Sequence, residues 1–230
     1  QSLYEKKLIT YPRTDSQYLT EDMEQTARNV VRQIYEKYQL TGPFDQPEQP
    51  DVKKVMNNSK VTDHHAIIPT MELASCHLDE LKSWEEKILF LIAVHTVMAM
   101  SKEHVYQETE IEVECQGEIF KAKGKTVLQD GWKLFENCFK NKDRMAIVDP
   151  DQEMKEKIPK VTQGQTFYAV AAEKTEHFTS PPKPYSEDTL LAAMETAGNK
   201  EFDEDTEKKG LGTPATRAGI IEKLIYSQYA

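Results

Sequence analysis

One short stretch near the start of the chain carries most of its chemical information: Thr10-Tyr11-Pro12-Arg13-Thr14-Asp15-Ser16. Pro12 disfavours helix for the residue before it, so Tyr11 is expected in an extended segment. Residues i and i+2 share a face of an extended chain, which points Tyr11, Arg13 and Asp15 the same way. A phenol beside a fixed guanidinium suits a tyrosine nucleophile that attacks a phosphate, because the cation favours the phenolate and binds phosphate oxygens.

The same residues also have a plainer interpretation. The stretch would then be a proline-bearing turn in which Tyr11 packs against its neighbours and Arg13 pairs with Asp15. Proline and aspartate both favour turns for reasons unrelated to catalysis. On residue chemistry alone, both interpretations stay open.

A family resemblance favours the catalytic interpretation. The stretch from Leu8 to Ser16 resembles the active-site signature of type IA DNA topoisomerases, closest to the bacterial topoisomerase III branch. Residues 62–70 resemble the histidine motif that follows the catalytic tyrosine in this family, and residues 181–187 also match. Residues 210–222 resemble the DNA-contacting segment near the family's gate. Because the four matches occur in the family's order, the chain is identified as a member of it.

The periodicity predicts an α+β protein with helices on either side of a β segment. The predicted helices cover Thr20–Tyr38 with Thr20 as N-cap, Asp79–Met100, Asp188–Ala197 with Ser186 or Glu187 at its start, and a last helix from near Ala215 or Thr216. The predicted strands are Thr109–Cys115, its hairpin partner Glu118–Lys123, Arg144–Val148 and Gln165–Ala172. Residues 41–50 and 201–209 are predicted to be loops.

The resemblance converts this order into a multidomain architecture. Residues 1–101 would form the helical lobe that carries the catalytic tyrosine, and residues 102–177 part of the β-rich arch. Residues 178–230 would belong to the helical DNA-binding gate domain. The chain begins at Gln1 and stops within a predicted helix, which leads us to expect a piece of a longer protein without the family's N-terminal Toprim domain.

The resemblance also implies residue roles and a reaction. Tyr11 would attack single-stranded DNA and form a 5′-phosphotyrosine, allowing ATP-independent strand passage for relaxation or decatenation. Arg13 would stabilise the developing negative charge, and Asp15 would fix Arg13, cap the following turn or contact DNA. His64, rather than the adjacent His65, would contact a phosphate near the cleavage site.

The resemblance suggests further DNA contacts in the last part of the chain. Thr213, Thr216 and Arg217 would bind phosphates through hydroxyl groups, a guanidinium and a helix N-terminus. Helix capping is the alternative role for these three residues. Lys183 and Tyr185 are weaker candidates for DNA contact.

The family uses Mg²⁺, and the resemblance locates its ligands in the N-terminal domain. We therefore expect no metal ligand and no cofactor in this chain, and we expect the chain alone to be inactive. The pair Asp149 and Asp151 superficially resembles an acidic metal site but lies in a predicted turn.

Composition and charge limit the possible partners. The chain of 230 residues is 38% hydrophobic and contains no apolar run of about 20 residues, so no membrane association is expected. Its three cysteines are scattered and are expected to be reduced thiols, which suits a cytoplasmic protein. The resemblance further implies a bacterial, nucleoid-associated one. The net charge of −10 predicts weak, salt-sensitive DNA binding by this chain alone. Protein partners cannot be named from the sequence.

Three functions other than that of a topoisomerase are compatible with parts of the sequence. Asp63, His64 and His65 are possible metal ligands of a phosphoesterase. The negative charge is compatible with a non-catalytic interaction module. A tyrosine recombinase shares the phosphotyrosine chemistry, but its usual set of basic residues is not found in this sequence.

Overall fold

The computed structural model describes residues 1–40, 50–136, 161–168, 171, 173–198 and 210–229. Helices whose full extent is described are α1 (Ser2–Glu5), α2 (Glu24–Tyr38), α3 (Ser83–Ala99), α4 (Glu187–Thr196) and α5 (Arg217–Tyr226), and the described strands are β1 (Val105–Cys115) and β2 (Glu118–Gln129). This mixture of helices and an antiparallel hairpin agrees with the predicted α+β class. The chain divides into two compact units, Gln1–Val161 and Thr162–Ala230. The finer division into lobe, arch and gate domain stays a prediction.

Helix α2 supplies one wall of the core of the first unit. Its buried positions recur at helical spacing, as predicted: Ala27, Val30, Val31, Ile34, Tyr35 and Tyr38. Thr20 does occupy the N-cap position, in extended geometry just before the first helical turn, but its side chain makes no capping hydrogen bond. The helix is instead preceded by a 3₁₀ turn at Glu21–Met23, whose first amide donates to Asn58 Oδ1 at 2.9 Å.

Helix α3 begins later than predicted and buries a different face. Leu81 and Lys82 are extended, and a separate 3₁₀ turn occupies Leu78–Glu80. The buried side chains of α3 are Glu85, Leu89, Phe90, Ala93, Val94, Thr96 and Val97. Trp84, Ile88 and His95 are exposed, although their helical spacing places them together on one apolar side of the predicted helix. The helix is apolar around most of its circumference, so periodicity does not select a face and packing decides.

The hairpin of β1 and β2 is longer than predicted. Its two-residue turn, Gln116 and Gly117, has positive φ at both positions, which suits the right-handed twist of a tight hairpin. One face is a ladder of opposite charges in which Glu108 faces Lys125, Glu110 faces Lys123 and Glu112 faces Lys121. Such pairs favour this register over a slipped one.

Two further strand predictions have different outcomes. Arg144–Val148 lies outside the described residues. The prediction for Gln165–Ala172 is wrong where the structure describes it, because residues 165–168 and 171 are not in a strand. Gln165 instead closes a turn by donating its amide to Thr162 at 3.1 Å, with Gly164 at φ +78°.

The second unit contains α4 and α5. Ser186 caps α4 by accepting from the Thr189 amide at 3.2 Å, and the Ser186 amide donates to Thr189 Oγ1 at 2.8 Å, which confirms the predicted start of this helix. The last helix begins at Arg217 after Thr216, within a residue of its predicted start. Among the described residues, no helix is long and apolar enough to cross a membrane.

Candidate functional site

The tyrosine stretch and the histidine motif lie side by side. Ile9 and Pro69 form an antiparallel bridge. On either side of it, the Thr10 amide donates to Ile68 O and the Thr70 amide to Leu8 O, both at 3.0 Å. Leu8, Ile9 and Ile68 are buried, so hydrophobic contact supports the pairing. Two segments far apart in sequence are thus fixed together.

Two threonine hydroxyl groups fasten the histidine motif around Tyr11. Thr10 Oγ1 donates to Ala66 O at 3.2 Å and accepts from the Ile68 amide at 3.0 Å. Thr14 Oγ1 donates to His64 O at 2.9 Å. Our sequence reasoning did not assign these residues a role, although both flank Tyr11 within the quoted stretch.

The Tyr11 ring contacts two other aromatic rings. The His64 imidazole centroid lies 4.3 Å from that of Tyr11, with the two planes at 40°. The Tyr4 ring meets Tyr11 edge to face, at 5.4 Å and 81°. His65 instead directs Nδ1 to Ala66 O at 2.8 Å. Of the two adjacent histidines, His64 is therefore the one whose ring contacts Tyr11.

Arg13 and Asp15 are exposed, whereas Tyr11 is half-buried. Within the described part of the chain, no ion pair joins Arg13 to Asp15, so the paired arrangement of the plainer interpretation is not formed. The alternate residues Thr14 and Ser16 bond instead to the neighbouring backbone, at His64 O and Lys60 O respectively. This alternation leaves the guanidinium of Arg13 available to an anion.

A lysine and an aromatic ring continue the same surface. The Lys60 ammonium lies 4.6 Å from the centre of the Tyr18 ring and 3.2 Å from its hydroxyl oxygen. The backbone holds the pair in place, because the Ala66 amide donates to Tyr18 O at 2.9 Å. Lys60 therefore adds a positive charge beside the histidine motif, which the sequence reasoning did not identify.

The predicted DNA-contacting residues of the second unit have local partners. Arg217 is buried, and its Nε and Nη2 atoms donate to Leu211 O at 3.0 Å and Gly212 O at 3.2 Å. The hydroxyl oxygens of Thr213 and Thr216 lie 3.0 Å apart. These contacts order the loop before α5. Lys183 and Tyr185 are exposed on the irregular segment before α4.

The described residues do not fit a metal centre. Nowhere in these ranges do three or more histidine, cysteine, aspartate or glutamate side chains form a group that could hold a metal ion. Asp63, His64 and His65 therefore do not form the centre that a metal-dependent phosphoesterase requires. Asp149 and Asp151 lie outside the described residues.

Comparison with known proteins establishes the class to which this arrangement belongs. A family model described as DNA topoisomerase matches residues 1–230, and the chain belongs to this family. Membership of the DNA topoisomerase family argues against a metal-dependent phosphoesterase and against a tyrosine recombinase.

Its relatives narrow the class. The chain is 38% identical to DNA topoisomerase 3 of Bacillus licheniformis, over 97% of the chain and 31% of that protein. It is 37% identical to DNA topoisomerase 3 of Bacillus subtilis, over 99% of the chain and 32% of the relative, and 36% identical to that of Vibrio cholerae, over 97% and 34%. The resemblance to bacterial topoisomerase III enzymes is thus confirmed, and the chain spans about a third of these relatives.

Proposed function

We propose that the protein containing this chain cleaves and religates single-stranded DNA through Tyr11, which allows strand passage for relaxation or decatenation. The observation that carries the proposal is the contact between the Tyr11 and His64 rings, on two motifs joined by hydrogen bonds. The family and the names of the relatives support a topoisomerase reaction.

In the proposed reaction, the Tyr11 oxygen forms a bond to phosphorus as the bond from phosphorus to the 3′ oxygen breaks. The phenol loses its proton and the 3′ oxygen leaves as a hydroxyl group after taking up a proton. The 5′-phosphotyrosine conserves a phosphodiester linkage, so the 3′ hydroxyl can attack it and restore the strand without a nucleotide.

The neighbours of Tyr11 would stabilise negative charge and orient the reacting phenol. Exposed Arg13 would bind the scissile phosphate or the phenolate, because a guanidinium matches phosphate oxygens in geometry and charge. His64 would orient the phenol through ring contact and donate to a backbone phosphate when protonated. Asp15, which is exposed, would contact DNA or orient Arg13 once DNA is bound.

DNA contacts in the second unit complete the proposal. Exposed Lys183 would meet a phosphate directly, and Thr213 and Thr216 would present their hydroxyl groups near the start of α5. Buried Arg217 would act chiefly by ordering the loop that carries them. Residues 1–101, 102–177 and 178–230 would correspond to the tyrosine lobe, the arch and the gate domain.

Magnesium belongs to the proposal only for the whole enzyme. The described residues contain no cluster of side chains suited to hold it. Because the chain spans about a third of its relatives, we propose that the full cycle is a property of the whole protein.

A labelling experiment tests the proposed function. The full-length protein is incubated with Mg²⁺ and a 3′-end-labelled single-stranded oligonucleotide, then denatured and examined for label on the protein. Label on the wild type but not on Tyr11→Phe is expected, whereas Tyr106→Phe, at an exposed tyrosine of β1, is a matched control that keeps the label. A 5′-end-labelled strand is expected to leave its label on free DNA. Equal labelling of wild type and Tyr11→Phe would overturn the assignment.

The same experiment distinguishes the proposed function from the remaining alternative, a non-catalytic interaction module. A non-catalytic interaction module predicts that a folded, DNA-binding wild type forms no adduct and that Tyr11→Phe leaves the activity of the whole protein intact. Either result would replace the proposed function.

A further inference from the structure

A buried carboxylate joins the first helix to α3. Glu85, in the first turn of α3, is only 1% exposed. It accepts hydrogen bonds from Lys6 Nζ at 2.7 Å, from the Lys82 amide at 2.9 Å and from the Ser2 hydroxyl. Two of the three donors are side chains of, or directly after, α1. A buried carboxylate with fewer partners would be strongly unfavourable, so the arrangement depends on α1 lying here.

Helix α1 cannot hold this position by its own stability. It consists of Ser2–Glu5, a single turn, and isolated helices of this length do not persist in water. Leu3 is its buried apolar residue, while Tyr4 is 39% exposed. The bonds to Glu85 are therefore a major part of what sets the orientation of α1.

The orientation of α1 matters because α1 carries Tyr4, whose ring, like that of His64, contacts Tyr11. The two rings meet edge to face at 5.4 Å, a geometry in which the positive edge of one ring meets the negative face of the other. The chain turns back directly after α1, with the Lys7 amide donating to Tyr4 O at 2.8 Å and the Leu8 amide to Leu3 O at 2.9 Å. Movement of α1 would move the Tyr4 ring away from Tyr11.

We infer that Glu85 is a positioning residue for Tyr11: by holding Ser2 and Lys6 it fixes α1, and α1 holds the Tyr4 ring against Tyr11. This inference rests on the proposed nucleophilic role of Tyr11. Neither Glu85 nor Tyr4 takes part in the chemical step. They restrict the phenol to one orientation, and a displacement of about 1 Å at a reacting group can reduce a rate about 100-fold.

The test uses full-length protein and the rate of adduct formation with the 3′-end-labelled strand. Because loss of Glu85 itself endangers folding, the donors are changed instead, in Ser2→Ala and Lys6→Met. We expect each to slow adduct formation about tenfold at saturating DNA, with the half-saturating DNA concentration unchanged. The matched control is Glu24→Gln, which removes the 2.8 Å ion pair between Glu24 and Arg28, two half-buried residues of α2, and is expected to leave the rate unchanged.

A double-mutant cycle asks whether the effect passes through Tyr4. We expect Tyr4→Phe to keep the wild-type rate, since the ring is retained, and Tyr4→Ala to slow it about tenfold. If the bonds of Ser2 and Lys6 to Glu85 act through the Tyr4 ring, adding Ser2→Ala to Tyr4→Ala causes no further loss of rate. Additive losses, or a loss fully explained by a smaller folded fraction, would overturn the inference.

The outcomes separate the inference from the proposed function. Normal rates in Ser2→Ala and Lys6→Met, with label still dependent on Tyr11, would overturn the positioning role alone. No label on a folded wild type would overturn both.

Discussion

Thr14 Oγ1 donates a 2.9 Å hydrogen bond to the backbone oxygen of His64, the residue whose ring lies 4.3 Å from Tyr11. The bond fixes the main chain of one motif to a side chain of the other. The histidine ring therefore keeps its place relative to the phenol through its own backbone, with no need for a direct hydrogen bond between the two rings.

Replacing His64 should slow DNA cleavage more than replacing its neighbour. His64→Ala removes both the ring that contacts Tyr11 and the proposed hydrogen-bond donor to a backbone phosphate. We expect the rate of adduct formation to fall about tenfold to 100-fold. His65→Ala is the matched control, because the His65 ring contacts Ala66 O instead, and a change of less than about threefold is expected. A larger effect of His65→Ala would reverse the two assignments.

The Thr10 hydroxyl should contribute to stability as well as to the site. Thr10→Val leaves the Ile68 amide and Ala66 carbonyl without this partner, and we expect the free energy of unfolding of this chain to fall by about 1–3 kcal/mol. Urea denaturation measures the change. Thr20→Val is the control, because Thr20 makes no capping hydrogen bond, and should stay within about 0.5 kcal/mol. Equal losses would contradict the role given to Thr10.

The buried Glu85 carboxylate should make the free energy of unfolding depend on pH in the acid range. The Lys6 ammonium, the Ser2 hydroxyl and the Lys82 amide lower the pKa of Glu85 from 4.5 to about 2. Because the folded pKa lies below the unfolded one, this stabilisation is present above pH 4.5 and is lost as the pH falls towards 2. The difference in unfolding free energy between wild type and Glu85→Gln should therefore shrink over this range. A difference in unfolding free energy that does not vary with pH would contradict the stabilising role of the bonds to Glu85.

Two glycines of the second unit should respond oppositely to alanine. At Gly210, φ is +64° and a Cβ atom would lie 2.3 Å from Glu195 O, so Gly210→Ala should destabilise the contact between α4 and the loop by about 1–3 kcal/mol. At Gly219 in α5 nothing lies within 4 Å of an added Cβ atom, and Gly219→Ala should stabilise the helix by about 0.5–1 kcal/mol. Hydrogen exchange of the α5 amides measures both changes, and a shared direction would contradict the packing described.

The salt dependence of DNA affinity should distinguish Lys183, a proposed phosphate contact, from Arg217, a buried structural residue. Lys183→Gln removes an exposed charge and should reduce the slope of log affinity against log salt by about 0.7 for single-stranded DNA bound to the full-length protein. Arg217→Lys should leave the slope unchanged but lower the melting temperature, because lysine cannot reproduce the paired bonds to Leu211 and Gly212. A reduced slope for Arg217→Lys would assign that residue to DNA.

Local sequence patterns were sufficient where neighbours along the chain carry the interaction. The cap of α4 follows from Ser186 and Thr189, three positions apart, and the hairpin turn follows from Gly117 with its alternating flanks. The order of the four motifs was likewise readable, because residue identity alone carries the resemblance that the family match confirmed.

Packing decided the features that depend on distant residues. Asn58, and not Thr20, provides the side-chain acceptor at the turn before α2, and the exposed side of α3 includes Trp84 although the pattern favoured burying it. A helix that is apolar all round has no preferred face until its neighbours are in place.

The sequence by itself determined the family, the chemical character of the tyrosine stretch and most helices and turns, because these depend on residue type and short spacings. Only the tertiary structure decided which histidine ring meets Tyr11, that Arg217 turns inward, and that Glu85 anchors α1. Each of these is a contact between segments far apart in sequence, or a choice between burial and exposure. Such contacts exist only once the chain has folded and its hydrophobic core has brought the segments together.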